Sequence, residues 1–119
     1  MKQIPLVVLT LIGLLILQSP NTAQAEKKCP DGLSLLNAST YTVSCNVYWV
    51  DEGAQSQPLY SGESHTYRIH KGTINKVLCY HFMPGSPYPS GSTSVDPQSC
   101  SYKVVDDSAV WPPIKLTPQ

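Results

Sequence analysis

The chain carries three histidines, His65, His70 and His81, and imidazole is the side chain best suited to moving protons near neutral pH. His70 stands beside Lys71, so His70, Lys71 and His81 are the set that a small secreted hydrolase of the nuclease kind would use. Period-two spacing puts His65 and His70 on opposite faces of one strand, and no acidic residue stands at a spacing that completes a triad. The expectation is no catalytic residue and no enzyme. Cys79-Tyr80-His81-Phe82-Met83 holds the three ligand types of a blue-copper site, with His65 or His70 upstream. That loop is shorter than copper ligands need to converge, and a copper thiolate would leave another cysteine without a partner. No metal and no cofactor is expected. Trp49, Tyr60, Tyr80, Tyr88 and Trp111 offer ring faces for a peptide or a sugar. Trp49 falls on an inward face and reads as core, while Tyr88 is the best exposed candidate. Asn37-Ala38-Ser39 is a glycosylation sequon in a eukaryotic host; the leader described below looks bacterial, which makes Asn37 a turn residue.

The scaffold for these residues starts at Tyr41–Val50. Tyr41, Val43, Cys45, Val47 and Trp49 alternate with Thr42, Ser44, Asn46 and Tyr48, the signature of a half-buried central strand. Further strands are expected at Leu33–Leu36, Gln57–Tyr60, His65–His70, Asn75–Phe82, Ser99–Val105 and Ala109–Trp111. Turns stand between them at Asn37–Thr40, Asp51–Gly53, Ser61–Glu63, Lys71–Gly72 and Asp106–Asp107. Met83–Gln98 has four prolines and no apolar period, and reads as a long loop. Pro112–Gln119 reads as an extended, Pro-rich tail. No helical period appears after the leader. The fold class is all-β: a small disulfide-stapled sandwich of about seven short strands, mostly antiparallel.

In a chain of 119 residues, one domain is expected. Residues 1–25 read as a signal peptide, with Lys2 before an apolar run from Ile4 to Leu17 and Ala23-Gln24-Ala25 at the cleavage point. That run is too short to span a bilayer. The sandwich then occupies 26–111 and the tail 112–119. Loss of Lys2 takes the formal charge from zero to −1, without the basic excess that nucleic acid or an anionic membrane surface requires. The expected location is secreted or periplasmic, with no membrane association after cleavage. Cys29, Cys45, Cys79 and Cys100 are even in number behind a leader and read as two disulfides. Cys29–Cys45 with Cys79–Cys100 is favoured because each closes a local loop; Cys45–Cys79, joining two strands or two sheets, is the rival.

From Leu36 to about Phe82 the sequence resembles the β-domain of the von Hippel–Lindau tumour-suppressor family. The matching residues are Asn37 and Ser39, Val47-Tyr48-Trp49 with Asp51 and Gly53, Gly62, and Thr66-Tyr67-Arg68 followed by His70. The resemblance implies a β-sandwich of seven to eight strands. It also implies a peptide pocket on the stretch that starts at Thr66, where Thr66 and His70 fall on the two polar pocket positions. The family's tryptophan two residues beyond the histidine is Gly72 here, and its pocket tyrosine has no clear counterpart, although Tyr60 is near in sequence. Residues and resemblance together lead to an exported, non-enzymatic module that binds a peptide or protein through Thr66, Tyr67, His70 and Tyr60. Its alternatives are the hydrolase above and a protein whose Met83–Gln98 loop inserts into a partner.

Overall fold

The computed structural model describes residues 26–68 and 72–119. The expected leader and its cleavage point, and Ile69, His70 and Lys71, lie outside the described residues. Nine strands follow in chain order: β1 Lys27–Lys28, β2 Leu33–Asn37, β3 Thr42–Trp49, β4 Gly53–Leu59, β5 Ser64–Tyr67, β6 Thr73–Phe82, β7 Pro89–Val95, β8 Ser101–Asp106 and β9 Ile114–Pro118. One sheet runs β4-β3-β6, with β1 and β7 both on the far edge of β6; the other runs β5-β2-β8-β9. Every pairing is antiparallel except β2 with β8. The all-β, disulfide-stapled expectation holds.

The alternation in β3 is what places the core. Val43, Cys45, Val47 and Trp49 are buried, while the residues between them are half-buried on the outer face. They meet Leu33 and Leu35 of β2, Tyr102 and Val104 of β8, and Ile114 and Leu116 of β9 in one apolar cluster. Tyr67 of β5 crosses from the second sheet and donates its hydroxyl to the Cys45 carbonyl at 3.1 Å. Burial pushes its phenol well above the ordinary tyrosine value, so it stays a neutral donor.

Several expectations are corrected. The described residues form nine strands, where about seven were expected. Met83–Gln98 is not one loop, because Pro89–Val95 is a strand on the edge of β6. An edge strand needs one neighbour and tolerates proline at its first residue, so it forms without an apolar period. Ala109–Trp111 is a turn rather than a strand, and the strand follows the prolines. Residues 112–119 are therefore no free tail: Ile114 and Leu116 are buried against the core. The disulfides are Cys45–Cys79 and Cys29–Cys100, not the favoured local pairs. Cys45 and Cys79 stand directly opposite on β3 and β6, both on the inner face, so sheet register rather than chain proximity selects the partner. Two bridges in one small domain fit an oxidising compartment.

Candidate binding end

The register sorts the connections between strands into two sets. Thr42 pairs with Phe82, Val43 with Leu59, and Phe82 with Pro89. In the other sheet Leu36 pairs with Ser64 and Asp106 with Ile114. The β2–β3, β4–β5, β6–β7 and β8–β9 links therefore share one end of the sandwich. The β1–β2, β3–β4 and β7–β8 links, with the Cys29–Cys100 bridge, share the other.

Among the described residues, the exposed large apolar side chains are Tyr60, Met83, Tyr88, Val110 and Trp111. Tyr60 is on the β4–β5 link, Met83 and Tyr88 on β6–β7, Val110 and Trp111 on β8–β9: all at the first end. Scattered single apolar residues need no explanation, but a concentration on one surface marks an interaction site, and links held on a rigid sandwich are where binding residues collect.

The links are tied down locally. Asn37 is fully buried and uses all four of its hydrogen-bonding positions. Its amide nitrogen donates to the Tyr41 carbonyl at 2.7 Å and the Leu59 carbonyl at 3.0 Å. Its oxygen accepts from the Ser39 amide at 3.0 Å and the Ser39 hydroxyl at 2.6 Å. The Asp106 carboxylate accepts from the Thr40 amide at 3.0 Å. Glu63 accepts from the Tyr60 amide at 2.8 Å, and the Ser61 hydroxyl donates to the Ser39 carbonyl at 2.6 Å. On β8–β9, the Asp107 amide donates to the Pro113 carbonyl at 2.9 Å, and Asp107 itself accepts from the Ala109 amide at 3.0 Å.

Beside the links, on the outer face of the first sheet, lies a cleft of about 450 Å³, within the size range of small-ligand sites. Thr42, Ser44 and Phe82 line it from the strands, Pro58 and Tyr60 from β4 and its link, and Met83, Pro84 and Pro87 from β6–β7. None of its lining residues has a carboxylate, amine, guanidinium or imidazole. The chemistry on offer is apolar contact and hydroxyl hydrogen bonding.

His81 is buried just behind this surface. Its ring lies edge-on to Tyr41 at 4.4 Å and to Trp111 at 5.7 Å. Nδ1 is 2.7 Å from the Ser90 hydroxyl, and that hydroxyl donates to the His81 carbonyl at 3.3 Å. Nε2 is buried without a partner. Burial holds the ring's pKa below the ordinary histidine value.

The residues named from sequence are not brought together. Tyr60 is at the link end, 62% exposed. Thr66 lies towards the opposite end of the second sheet, opposite Ser34, whose hydroxyl is 3.2 Å from its own. Tyr67 is corrected from ligand contact to core, since it is 1% exposed. His70 lies outside the described residues, as does Lys71. His65, exposed on β5, stacks edge-on with Tyr67 at 4.8 Å. Cys79 is bridged to Cys45, which removes the thiolate that copper would need. The link end was missed as a unit because its residues come from four separate stretches; exposed aromatics near prolines were the only local signal. No protein-family model, no curated protein and no solved structure matches the chain.

Proposed function

We infer that this chain is an exported, non-enzymatic binding module that takes a peptide or protein partner at the β2–β3, β4–β5, β6–β7 and β8–β9 link end. The observation that carries the reading is the gathering of Tyr60, Met83, Tyr88, Val110 and Trp111 on that one end. Such residues are the anchors of interfaces, where rings and thioethers fill pockets at low entropic cost. The uncharged cleft beside them suits a neutral segment of a partner rather than an acidic or basic one. The leader-like residues 1–25 and the two bridges support export, and the resemblance over Leu36–Phe82 supports peptide recognition as the class. Met83–Tyr88 retains the loop-insertion idea within this surface. The hydrolase reading gains no support: His81 is buried against the Tyr41 and Trp111 rings, and His70 and Lys71 lie outside the described residues.

The test is retention of a partner from culture supernatant or periplasm by the mature, oxidised protein. Tyr60→Ser and Trp111→Ser are expected each to weaken retention by roughly tenfold or more, the loss of a single interface anchor. Thr66→Ala is expected to retain it, and all three should melt close to wild type. Loss of retention in Thr66→Ala alone would return the site to the β5 strand end.

A further inference from the structure

We propose that His81 is an acid release for this binding end: unprotonated, its ring seats Trp111 at the mouth of the sandwich, and on taking a proton it lets Trp111 go. The proposal rests on reading the link end as the binding surface, and supplies its regulation.

The geometry is one-sided. Tyr41 is half-buried against the core, and its backbone is fixed by the Asn37 amide and by the Ser39 hydroxyl, which accepts from the Tyr41 amide at 3.2 Å. Trp111 is 66% exposed. Its seat consists of the edge contact with His81 and one hydrogen bond from its indole N–H to the Ser90 carbonyl at 3.3 Å. The protonated ring carries an N–H at both nitrogens, and at Nε2 no acceptor stands among the described residues. The aromatic and hydrogen-bonding side chains against the ring, among the described residues, are the Tyr41 and Trp111 rings and the Ser90 hydroxyl. The charged groups of the adjoining links are engaged elsewhere. Asp106 is bonded to Thr40, Glu63 to Tyr60, and Asp107 to Ala109, with Lys115 at 3.9 Å. A buried N–H⁺ without an acceptor must reach water. Displacing Tyr41 would disturb a fixed link and the core, whereas displacing Trp111 breaks one long hydrogen bond and a ring contact. Trp111 is therefore the group that moves, and the binding surface loses one of its anchors.

The sign follows from burial. The folded-state pKa of His81 lies below its value in an unfolded chain, about 6.5, so the seated arrangement is fully stabilised above that value. That stabilisation declines as pH falls from there towards the lowered folded value, and is spent below it. The device thus releases under acid, never under alkali.

The experiment uses the oxidised protein alone, followed by NMR from pH 8 to pH 4. His81 ring resonances and the two indole N–H signals are read together, Trp111 being assigned by its loss in Trp111→Phe. The expected result is a His81 midpoint below about 6.5, a Trp111 signal that shifts with the same midpoint, and a Trp49 signal that does not. Trp49 is buried and bonded to Gln55 at 3.2 Å, so it reports the intact sandwich. His81→Phe, which keeps a ring but cannot titrate, should abolish the Trp111 shift; should that variant not fold, the wild-type titration decides. A Trp111 signal indifferent to His81 titration overturns the proposal. So does a His81 midpoint at or above the ordinary value, which would mean the neighbouring rings stabilise the cation. Joint loss of both indole signals, the mark of global unfolding, overturns it as well. No partner enters this titration, so failed retention of a partner sinks the binding reading separately.

Discussion

Asn37 shows at the scale of one residue how a turn becomes a structural joint. Its side chain joins the ends of β2, β3 and β4 by donating to Tyr41 and Leu59 while accepting from Ser39. Asn37→Ala would leave two carbonyls and an amide without that partner in a buried place, at a cost of about 2–4 kcal/mol. Asn37→Asp keeps the shape but turns a carboxylate oxygen towards both carbonyls, and should cost at least as much. Denaturant unfolding measures both, and a loss below about 1 kcal/mol for Asn37→Ala would show the joint to be dispensable. The sequon at Asn37 is also closed to modification in the folded state, because a glycan would replace one of the two donors and has no room at 0% exposure. The turn was legible in the sequence, since Asn followed by Ser two residues on is ordinary turn chemistry. The burial was not, because it depends on Tyr41 and Leu59 arriving from strands that the turn itself does not specify. Tyr67 was misread for the same reason: alternation in β5 told which face it shares with His65, but not that this face is covered at Tyr67 while His65 stays exposed.

Among the elements, β3 was the most legible and β7 and β9 the least. Strong alternation of β-branched and aromatic residues identified β3 and its inner face, and Val47 is accordingly fully buried. Val47→Asp would place an unpaired carboxylate between the sheets, at about 4 kcal/mol or more. Thr42, on the outer face beside the cleft, should accept Asp at less than about 1 kcal/mol. Equal melting losses in the two variants would mean that the outer face is covered as well. β7 gave no such signal because Pro-Ser-Gly-Ser-Thr-Ser-Val has little to bury; it exists because β6 offers it an edge. β9 did carry a signal, Ile114 and Leu116 buried around an exposed Lys115, but Pro112, Pro113 and Pro118 disguised it. Prolines flanking a short edge strand are compatible with the ladder in a way that prolines inside a central strand are not.

For the whole molecule, the Cys29–Cys100 bridge marks a stapled end opposite the end proposed for binding. Cys29 follows β1 of the first sheet and leads to β2 of the second; Cys100 follows β7 and leads to β8. Their bridge therefore joins the sheets where the chain passes between them, at the end away from Tyr60 and Trp111. Cys45–Cys79 reinforces a ladder inside the first sheet. On the chain-entropy model each closure is worth about 4 kcal/mol, and the doubling of loop length from a separation of 34 to one of 71 adds only about 0.6 kcal/mol. Removing either pair should thus cost comparable stability despite their different places. Digestion after Lys and Arg under non-reducing conditions tests the local pairing. One product, 29–68, holds Cys29 and Cys45, and another, 77–103, holds Cys79 and Cys100. The pairing in the structure ties these two products together, whereas the local pairing favoured by sequence would let them separate. For Cys29→Ala with Cys100→Ala, the expected outcome is a loss of about 4 kcal/mol in denaturant unfolding with partner retention intact at temperatures where the sandwich stays folded. The links that carry the exposed rings are anchored by Asn37, Asp106 and Glu63, none of which touches that bridge. Retention lost in step with the bridge, in protein still folded, would show that the two ends are coupled through the core and that the binding end is not an independently fixed surface.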